Sequence, residues 1–154
     1  AAQDDVKNFC KKIQAACKAK VSEDFMVVAR IESFILGKSL KDALNRANEY
    51  SKHGADAILI HSKDKHPKDI FKFAKEFKKS KFFKPLIAVP STYSTTTEAE
   101  LIKNGFKIVI YANHMLRAAY PAMVEAAKKI LEYKRTSPIE KNLTSIKEIL
   151  TLIN

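Results

Sequence analysis

Several residue types and patterns that identify common classes of protein are missing from this sequence. It contains no tryptophan, three glycines and two cysteines in 154 residues. None of its apolar runs approaches the ~20 residues that a membrane-spanning helix needs. Zinc-finger spacings, a glycine-rich phosphate loop and RNA-binding aromatic motifs are also absent from it. We therefore expect neither a membrane nor a nucleic acid as a partner.

The two cysteines are too far apart on a predicted helix to form a disulfide. Cys10 and Cys17 are seven positions apart, or ~10 Å along the helix axis, whereas a disulfide tolerates a Cα separation of up to about 7 Å. We predict two buried thiols. The first residues, AAQDDVKNFCKK, contain acidic side chains and no apolar core, so we expect no secretory signal and a cytoplasmic location.

The net charge of +11 comes in part from lysines that cluster between positions 63 and 84. Lys68, Lys72, Lys75 and Lys79 recur every three or four residues, which is typical of the solvated face of a helix. The opposite face of that helix carries Ile70, Phe73, Ala74 and Phe77. The cluster therefore indicates an amphipathic helix rather than a nucleic-acid site.

Hydrophobic periodicity predicts strands that alternate with helices along one domain covering residues 1–154. The predicted strands cover residues 25–30, 57–60, 86–89 and 107–111. The predicted helices cover residues 4–19, 39 to about 53, 67 to about 79, 97–104 and 114–133, with a closing amphipathic helix over SIKEILTLI. Ser39 and Asp42 resemble a capping box, and Pro121 is expected to bend the long helix.

This order is an α/β pattern of four consecutive βα units preceded by one helix. Alternation of this kind requires parallel strands and right-handed crossovers. Two architectures satisfy it: an open, doubly wound four-stranded sheet, or half of an eight-fold βα barrel. Periodicity does not choose between them. In a half-barrel, we expect one apolar sheet face to be exposed, formed by Val27, Ala29, Ile58, Ile60, Ile87, Val89 and Val109.

Two of the predicted strands end abruptly at side chains that bind anions. VVARIESFILG, residues 27–37, contains Arg30, and ADAILIHSK, residues 55–63, contains His61. The carboxyl ends of parallel strands carry the ligand sites of α/β folds. The 31 positions between the two residues leave room for one helical crossover between neighbouring strands. We therefore expect Arg30 and His61 to converge on one anion.

Three longer segments carry a resemblance to a known family. DFMVVARIESFILGKSLKDALNRANEYSKHGADAILIHSK, PLIAVPSTYS and GFKIVIYANHMLRAAYPAM resemble phosphoenolpyruvate mutase, of the isocitrate lyase superfamily. The resemblance implies half of a TIM-type (β/α)8 barrel in a magnesium-dependent isomerase that interconverts phosphoenolpyruvate and phosphonopyruvate in phosphonate biosynthesis. Arg30 matches the family arginine that clamps the phosphoryl and carboxylate oxygens, and His61 matches the histidine that hydrogen-bonds the phosphoryl group.

The sequence also departs from that family. The resemblance implies a preceding half with an aspartate-rich magnesium site and a mobile gating loop, and neither occurs here. We therefore expect the chain to correspond to the carboxyl-terminal half, with no metal ligands of its own, and to be inactive alone. We expect it to form homo-oligomers or to pair with a complementing amino-terminal half. The alternatives are a phosphonopyruvate hydrolase or another lyase on the same barrel, and a non-catalytic half-barrel that self-associates.

Other polar residues allow more than one role. Glu32 either orients Arg30, reaches a metal-bound water in the complete barrel, or forms only a salt bridge with Arg30. The hydroxyl-rich stretch of residues 91–97 either adds donors to the pocket or forms a turn and a helix cap, and Asn113 is a candidate for the rim of the pocket. His53, His66 and His114 are interpreted as loop or cap residues, and Lys63 as a solvated side chain.

Overall fold

The computed structural model describes residues 2–152, which form two compact units, residues up to 112 and residues from 113. The first unit contains α1 (Val6–Lys18), β1 (Val28–Ile31), α2 (Leu40–Lys52), β2 (Ala57–Ile60), α3 (Lys68–Phe77), β3 (Leu86–Ala88), α4 (Glu98–Lys103) and β4 (Phe106–Val109). The second contains α5 (His114–Tyr133), a 3-10 turn (Glu140–Asn142) and α6 (Ile146–Thr151). The predicted order of helices and strands is therefore confirmed. Across residues 2–152, none of the helices is long and apolar enough to cross a membrane.

Side chains cap several helices at the positions that the sequence indicates. The Asp5 carboxylate accepts a hydrogen bond from the Asn8 amide at 2.9 Å and caps α1. Thr97 and Glu100 form a complete capping box at α4, which satisfies two backbone donors at once. At α2 only half of the predicted box forms. The Ser39 hydroxyl accepts from the Asp42 amide, but the Asp42 carboxylate bonds to other side chains, described below.

The four strands form one parallel sheet in the order β1-β2-β3-β4. Arg30 pairs with Leu59, Leu59 with Ile87, and Ile87 with Ile108. The register between β3 and β4 shifts once, between Leu86 and Ile87, which places one extra residue in β4. In a doubly wound sheet the strand order reverses at a switch point. Here the strands follow one another in sequence order without a reversal.

The helices of this unit cover one face of the sheet only. Ala29, Ile31, Ile58, Ile60, Leu86 and Ala88 are buried in one cluster with residues of α1 to α4. On the other face, Ala57, Leu59, Ile87 and Val89 form a separate cluster that includes no helical residue from the described part of the chain. A doubly wound sheet needs helices on both faces, so the arrangement is that of four βα units of a barrel.

The predicted inner face was wrong for five of its residues. Val27, Ala29, Ile58, Ile60 and Val109 pack with the helices, whereas Ile87 and Val89 do face inward. Side chains alternate between the two faces of a strand, so an error of one residue moves the whole set to the other face. β2 is apolar throughout and buried on both faces, so its sequence carried no information on this choice. In β1 there was a signal, because an inward-facing Arg30 places Ala29 on the helix side by alternation. By alternation, the inner face includes Val28, Arg30, Leu59, Ile87 and Ile108.

The second unit is built around α5. Lys134, with φ 52°, ends this helix in the left-handed conformation. Ile139 is buried and lines a cavity of about 140 Å³ with Ala122, Ala126 and Asn142. Large apolar side chains of α5 are exposed, among them Met115, Leu116, Met123 and Leu131. The predicted closing helix forms as α6, and its last predicted residue, Ile153, lies outside the described residues.

Candidate anion-binding site at the carboxyl edge of the sheet

Arg30 is the third residue of β1 and lies on the inner face of the sheet. Its side chain is half exposed. The Arg30 Nε–H donates to the Glu32 carboxylate, two residues further along the same strand direction. Of the roles considered for Glu32, the structure contains the ion pair with Arg30. This pair uses Nε–H, so it restrains the guanidinium at the nitrogen next to the stem and does not use the terminal N–H groups.

His61 follows β2 directly and, by alternation from Leu59, lies on the same inner face. Its Nδ1 is buried, and no hydrogen-bond partner for it occurs within residues 2–152. Burial lowers the pKa of His61 below its ordinary value, the charge of Arg30 lowers it further, and the charge of Glu32 opposes both. The ring is therefore neutral at pH 7 and offers one N–H donor and one acceptor.

Arg30 pairs with Leu59, two residues before His61 on the same face, so Arg30, Glu32 and His61 lie at neighbouring positions of adjacent strands. The structure thus brings together the two residues that the ends of the apolar runs singled out. One guanidinium fork and one imidazole, on the same face of a parallel sheet near its carboxyl edge, can bind an anion with several oxygens. A buried imidazole nitrogen without a partner is costly, and a bound ligand would relieve that cost.

Hydrogen bonds behind the site hold the loop that carries Glu32. Ser33 is fully buried, and its hydroxyl donates to the Asp42 carboxylate at 2.7 Å. The same carboxylate accepts from Arg46 Nε at 3.1 Å. Arg46 Nη1 donates to the Tyr50 hydroxyl at 2.8 Å and to the backbone carbonyl of Asp4 at 2.9 Å. This network ties the loop after β1 to α2 and to the residues that precede α1.

Burial and hydrogen bonding act in opposite directions on the Asp42 carboxylate in this network. Burial raises the pKa of Asp42, but the hydrogen bonds from Ser33 and Arg46 outweigh it and hold that pKa below its ordinary value. Sequence analysis missed the network. The available signal was the spacing of Asp42, Arg46 and Tyr50 at i, i+4 and i+8, which places all three on one helix face.

A second carboxylate holds the beginning of β1. Asp56 accepts from Lys20 Nζ at 2.6 Å and from the Val27 amide at 2.7 Å. Burial raises the pKa of Asp56, but these two donors outweigh it and keep that pKa below its ordinary value. The backbone amide of Asp56 donates in turn to the Val27 carbonyl. Asp56 therefore aligns the strand that delivers Arg30 with its neighbour β2.

The hydroxyl-rich stretch has structural partners at both ends. The Thr92 hydroxyl donates to the Ser62 carbonyl at 2.8 Å, which joins the loops after β2 and β3. Thr97 caps α4. Ser62, next to His61, is buried, and its hydroxyl accepts from the Asp64 amide at 3.1 Å. These bonds position the loop that carries His61.

The remaining candidates lie at helix ends or in loops. His53 is the C-cap residue of α2, and His66 lies exposed in the loop before α3. Lys63 is exposed. Asn113 is the N-cap residue of α5 and makes no capping hydrogen bond with its side chain. His114 is the first residue of α5.

The carboxyl edge of the sheet does not fit a magnesium ion by itself. Mg²⁺ takes oxygen ligands in octahedral geometry and uses carboxylates as its protein ligands. Here Glu32 is bound to Arg30, and Asp64 accepts from the His66 amide. Among residues 2–152, no group of three or more candidate metal ligands converges at this edge.

Comparison with known proteins gives a consistent result over nearly the whole chain. A family model described as phosphoenolpyruvate phosphomutase matches residues 1–131. The phosphoenolpyruvate phosphomutase of Tetrahymena pyriformis is 41% identical over 147 residues, which cover 96% of this chain and 48% of the relative. The phosphonopyruvate hydrolase of Variovorax sp. strain Pal2 is 38% identical over 148 residues, which cover 96% of this chain and 50% of that relative.

Solved structures agree with the sequence comparison. The phosphoenolpyruvate phosphomutase from Streptomyces platensis subsp. rosaceus superposes with a TM-score of 0.86 at 40% identity, over 96% of this chain and 50% of that structure. A phosphonopyruvate hydrolase in complex with oxalate and Mg²⁺ superposes with a TM-score of 0.86 at 38% identity, over 97% of this chain and 52% of that structure. The chain spans about half the length of the curated relatives it matches.

Proposed function

Because the chain belongs to the phosphoenolpyruvate phosphomutase family, we propose that it supplies the phosphoryl-binding half of an isomerase that interconverts phosphoenolpyruvate and phosphonopyruvate. The observation that carries the proposal is the placement of Arg30 and His61 on one inner face, at the carboxyl edge of a half-barrel sheet. In barrel enzymes the substrate is bound at this edge.

The reaction moves a phosphoryl group from oxygen to carbon within one substrate. The P–O bond of phosphoenolpyruvate breaks, a C–P bond forms at the methylene carbon, and the enolate oxygen becomes a ketone. A transferring phosphoryl group spreads negative charge over three oxygens, so the protein contributes mainly positioning and positive charge. The Arg30 fork can hold two oxygens, and the N–H of neutral His61 can donate to a third.

The role of Glu32 in this proposal is to hold the guanidinium in place. Its carboxylate engages Nε, so the terminal nitrogens of Arg30 stay available to the substrate. The Ser33–Asp42–Arg46 network then fixes the loop behind Glu32. The protein that completes the site would contribute the ligands for Mg²⁺, the ion that accompanies oxalate in the related hydrolase structure. We propose that the chain works in the cytoplasm, either as a homo-oligomer or together with a complementing half.

Phosphonopyruvate hydrolase is the second candidate, because the hydrolase from Variovorax is nearly as similar to this chain as the Tetrahymena mutase. In that reaction water attacks phosphorus, the C–P bond breaks, and pyruvate and phosphate leave. The anion site described here would serve both reactions. The mutase and hydrolase reactions differ in whether water reaches the phosphoryl group.

The test combines this chain with the separately produced amino-terminal half of the Streptomyces platensis phosphomutase, in the presence of Mg²⁺ and phosphonopyruvate. Phosphorus NMR follows the products. Phosphoenolpyruvate is the expected product, and inorganic phosphate with pyruvate would assign the hydrolase reaction instead. Absence of turnover in a complex shown to form by sedimentation would contradict both assignments and favour a non-catalytic, self-associating half-barrel.

A matched pair of arginine variants connects the activity to the site. Arg30→Ala should abolish the restored turnover, whereas Arg135→Ala, in the exposed loop after α5, should leave it unchanged. If both variants restore turnover equally well, the phosphoryl-binding role of Arg30 is wrong.

A further inference from the structure

The outer surface of the first unit contains a second group of polar side chains, on the helices rather than at the sheet edge. Cys10 of α1, Glu49 of α2 and the α2 cap residue His53 each offer one ligand atom, and these atoms all lie within 4.8 Å of one another. We propose that Cys10, Glu49 and His53 form a zinc site, which is separate from the phosphoryl site in position and in the metal it binds.

The fold brings these three residues together in a regular way. Glu49 and His53 are four positions apart at the end of α2, so both side chains lie on one helix face. That face packs against α1, where Cys10 is buried. A mixed sulfur, nitrogen and oxygen set suits zinc, whereas Mg²⁺ and Ca²⁺ prefer oxygen alone.

The His53 ring is already oriented as metal-binding histidines are. Its Nδ1 lies 2.7 Å from the Glu49 backbone carbonyl. A carbonyl can only accept, so Nδ1 carries the proton and Nε2 keeps a lone pair. Histidines that bind metals usually donate their other N–H to a carbonyl or carboxylate, which fixes the tautomer and the ring plane. Binding through Nε2 would keep this hydrogen bond, whereas binding through Nδ1, which lies 3.8 Å from a Glu49 carboxylate oxygen, would break it.

Small side-chain movements suffice to close the site. Zinc bonds of about 2.0–2.3 Å in a tetrahedron place ligand atoms about 3.5 Å apart. The present separations between Cys10 Sγ, a Glu49 carboxylate oxygen and one ring nitrogen of His53 are at most 4.8 Å, so they need to shorten by roughly 1 Å. Glu49 can turn because its carboxylate is held only loosely: Lys52 Nζ lies 4.0 Å from one oxygen, and His53 Nδ1 lies 3.8 Å from the other.

Three protein ligands leave the fourth zinc position open to a cavity. The cavity has a volume of about 480 Å³, and its lining includes Lys7, Lys11 and Gln14 beside the three ligands. These lysines oppose binding of a bare cation, but they favour an anionic fourth ligand such as hydroxide. Binding transfers the Cys10 thiol proton to the buffer as the Zn–S bond forms, with no change in oxidation state.

The experiment is a zinc titration of the full chain against a chromophoric chelator, with thiols kept reduced. One zinc ion per chain is expected, and Mg²⁺ should not compete. Loss of an outer-shell partner costs roughly 10–100-fold in metal affinity, so Cys10→Ala, Glu49→Gln and His53→Gln should each weaken binding by at least about 100-fold. The matched controls Cys17→Ser, Glu76→Gln and His66→Gln should bind as the parent chain does.

Cobalt substitution gives a second readout. Co²⁺ in the parent chain should show the thiolate-to-cobalt charge-transfer band in the near ultraviolet, which Cys17→Ser keeps and Cys10→Ala loses. Glu49 and His53 are only partly buried, so their variants test the site even if Cys10→Ala perturbs the core. Unchanged zinc affinity in Glu49→Gln and His53→Gln, or equal losses in the controls, would overturn the proposal. Failure of the phosphomutase assignment would not affect it.

Discussion

Arg30 contributes a shape as well as a charge to the proposed site. Arg30→Lys keeps the charge but replaces a fork of donors with a single ammonium, so the phosphoryl group gains freedom to move off line. In the reconstituted enzyme we expect turnover to fall by roughly 10² to 10³, with a smaller change in KM. The turnover of His61→Ala, which lacks one hydrogen-bond donor, should fall by a similar factor.

Steady-state conversion of phosphonopyruvate at saturating Mg²⁺ measures both variants. Arg135→Lys serves as the control, since it makes the same chemical change in an exposed loop. Near-normal turnover in either site variant would remove that residue from the proposed site.

His61 should also give the chain a characteristic pH dependence of stability. Its pKa in the folded chain is lower than the ordinary 6.5, so the unfolded chain binds the proton first as the pH falls. The free energy of unfolding should therefore decrease as the pH drops below about 6.5, until the pH passes the folded pKa. In His61→Gln this contribution should be absent.

Urea unfolding of the parent chain and of His61→Gln between pH 7 and pH 5 measures the difference in slope. His66→Gln is the control, because His66 is exposed in a loop. Parallel curves for the parent chain and His61→Gln would contradict the assigned environment of His61.

The residues that were predictable from sequence are those whose roles depend on local order. Arg30 and His61 were identified because the predicted strand 25–30 ends at Arg30 and the predicted strand 57–60 is followed by His61, although β1 itself continues to Ile31. Arg46 was not identified. Its burial depends on Asp42, Tyr50 and the backbone carbonyl of Asp4, and the last of these is distant in sequence.

At the scale of elements, the Asp42–Arg46 pair should matter more than a surface pair of similar spacing. Only 5% of the Arg46 side chain is exposed. Arg46→Met leaves the Asp42 carboxylate partly buried without its partner, so we expect a loss of about 3 kcal/mol in the free energy of unfolding. Lys79→Met removes the exposed pair with Glu76 and should have little effect.

Denaturant unfolding of both methionine variants provides this comparison. Equal midpoints would show that the network contributes no more than an exposed ion pair does. In the reconstituted enzyme, Arg46→Met should also reduce turnover, because the network holds the loop that carries Glu32.

The turn after α2 offers a second test at this scale. Gly54 has φ +109°, and a Cβ added there would lie 2.9 Å from Cys17 Sγ. Gly105 has φ +93° and open space around it. In both alanine variants, the left-handed backbone conformation should lower the free energy of unfolding by about 1–2 kcal/mol. Gly54→Ala should cost on the order of 1 kcal/mol more because of the clash.

Thermal or urea unfolding of the two variants measures this difference. Adding Cys17→Ala to Gly54→Ala should recover the additional loss, while adding it to Gly105→Ala should recover nothing. If Gly54→Ala and Gly105→Ala unfold alike, the close packing of Gly54 against α1 is wrong.

Element types followed from periodicity, and some boundaries did not. The bounds of β2 and α5 agree with the predicted ranges. β1 begins three residues later than predicted, at Val28, because the apolar Phe25, Met26 and Val27 continue the pattern before the strand pairs. The choice of sheet face required the tertiary structure, since β2 is buried on both sides.

At the scale of the whole molecule, the sheet leaves apolar surface uncovered. Val28, Ile108 and Ile110 are each about 40% exposed, and β1 and β4 are edge strands. Unpaired edges and apolar patches favour association. We therefore expect sedimentation velocity to show concentration-dependent association of the isolated chain.

Paired variants identify the surface responsible. Val28→Lys with Ile108→Lys should reduce association if the sheet mediates it, and Leu116→Lys with Leu131→Lys should do so if α5 does. We expect the larger reduction from the sheet variants. A monodisperse monomer that unfolds cooperatively would contradict this expectation.

The sequential strand order also determines how any closing partner must bind. A partner that completes the barrel has to add one strand beside β1 and another beside β4 at the same time. The first pairing fixes the partner in place, and the second then proceeds at a high effective concentration. Closure should consequently behave as a bivalent interaction: blocking either edge alone would weaken the complex far more than the loss of half its hydrogen bonds suggests.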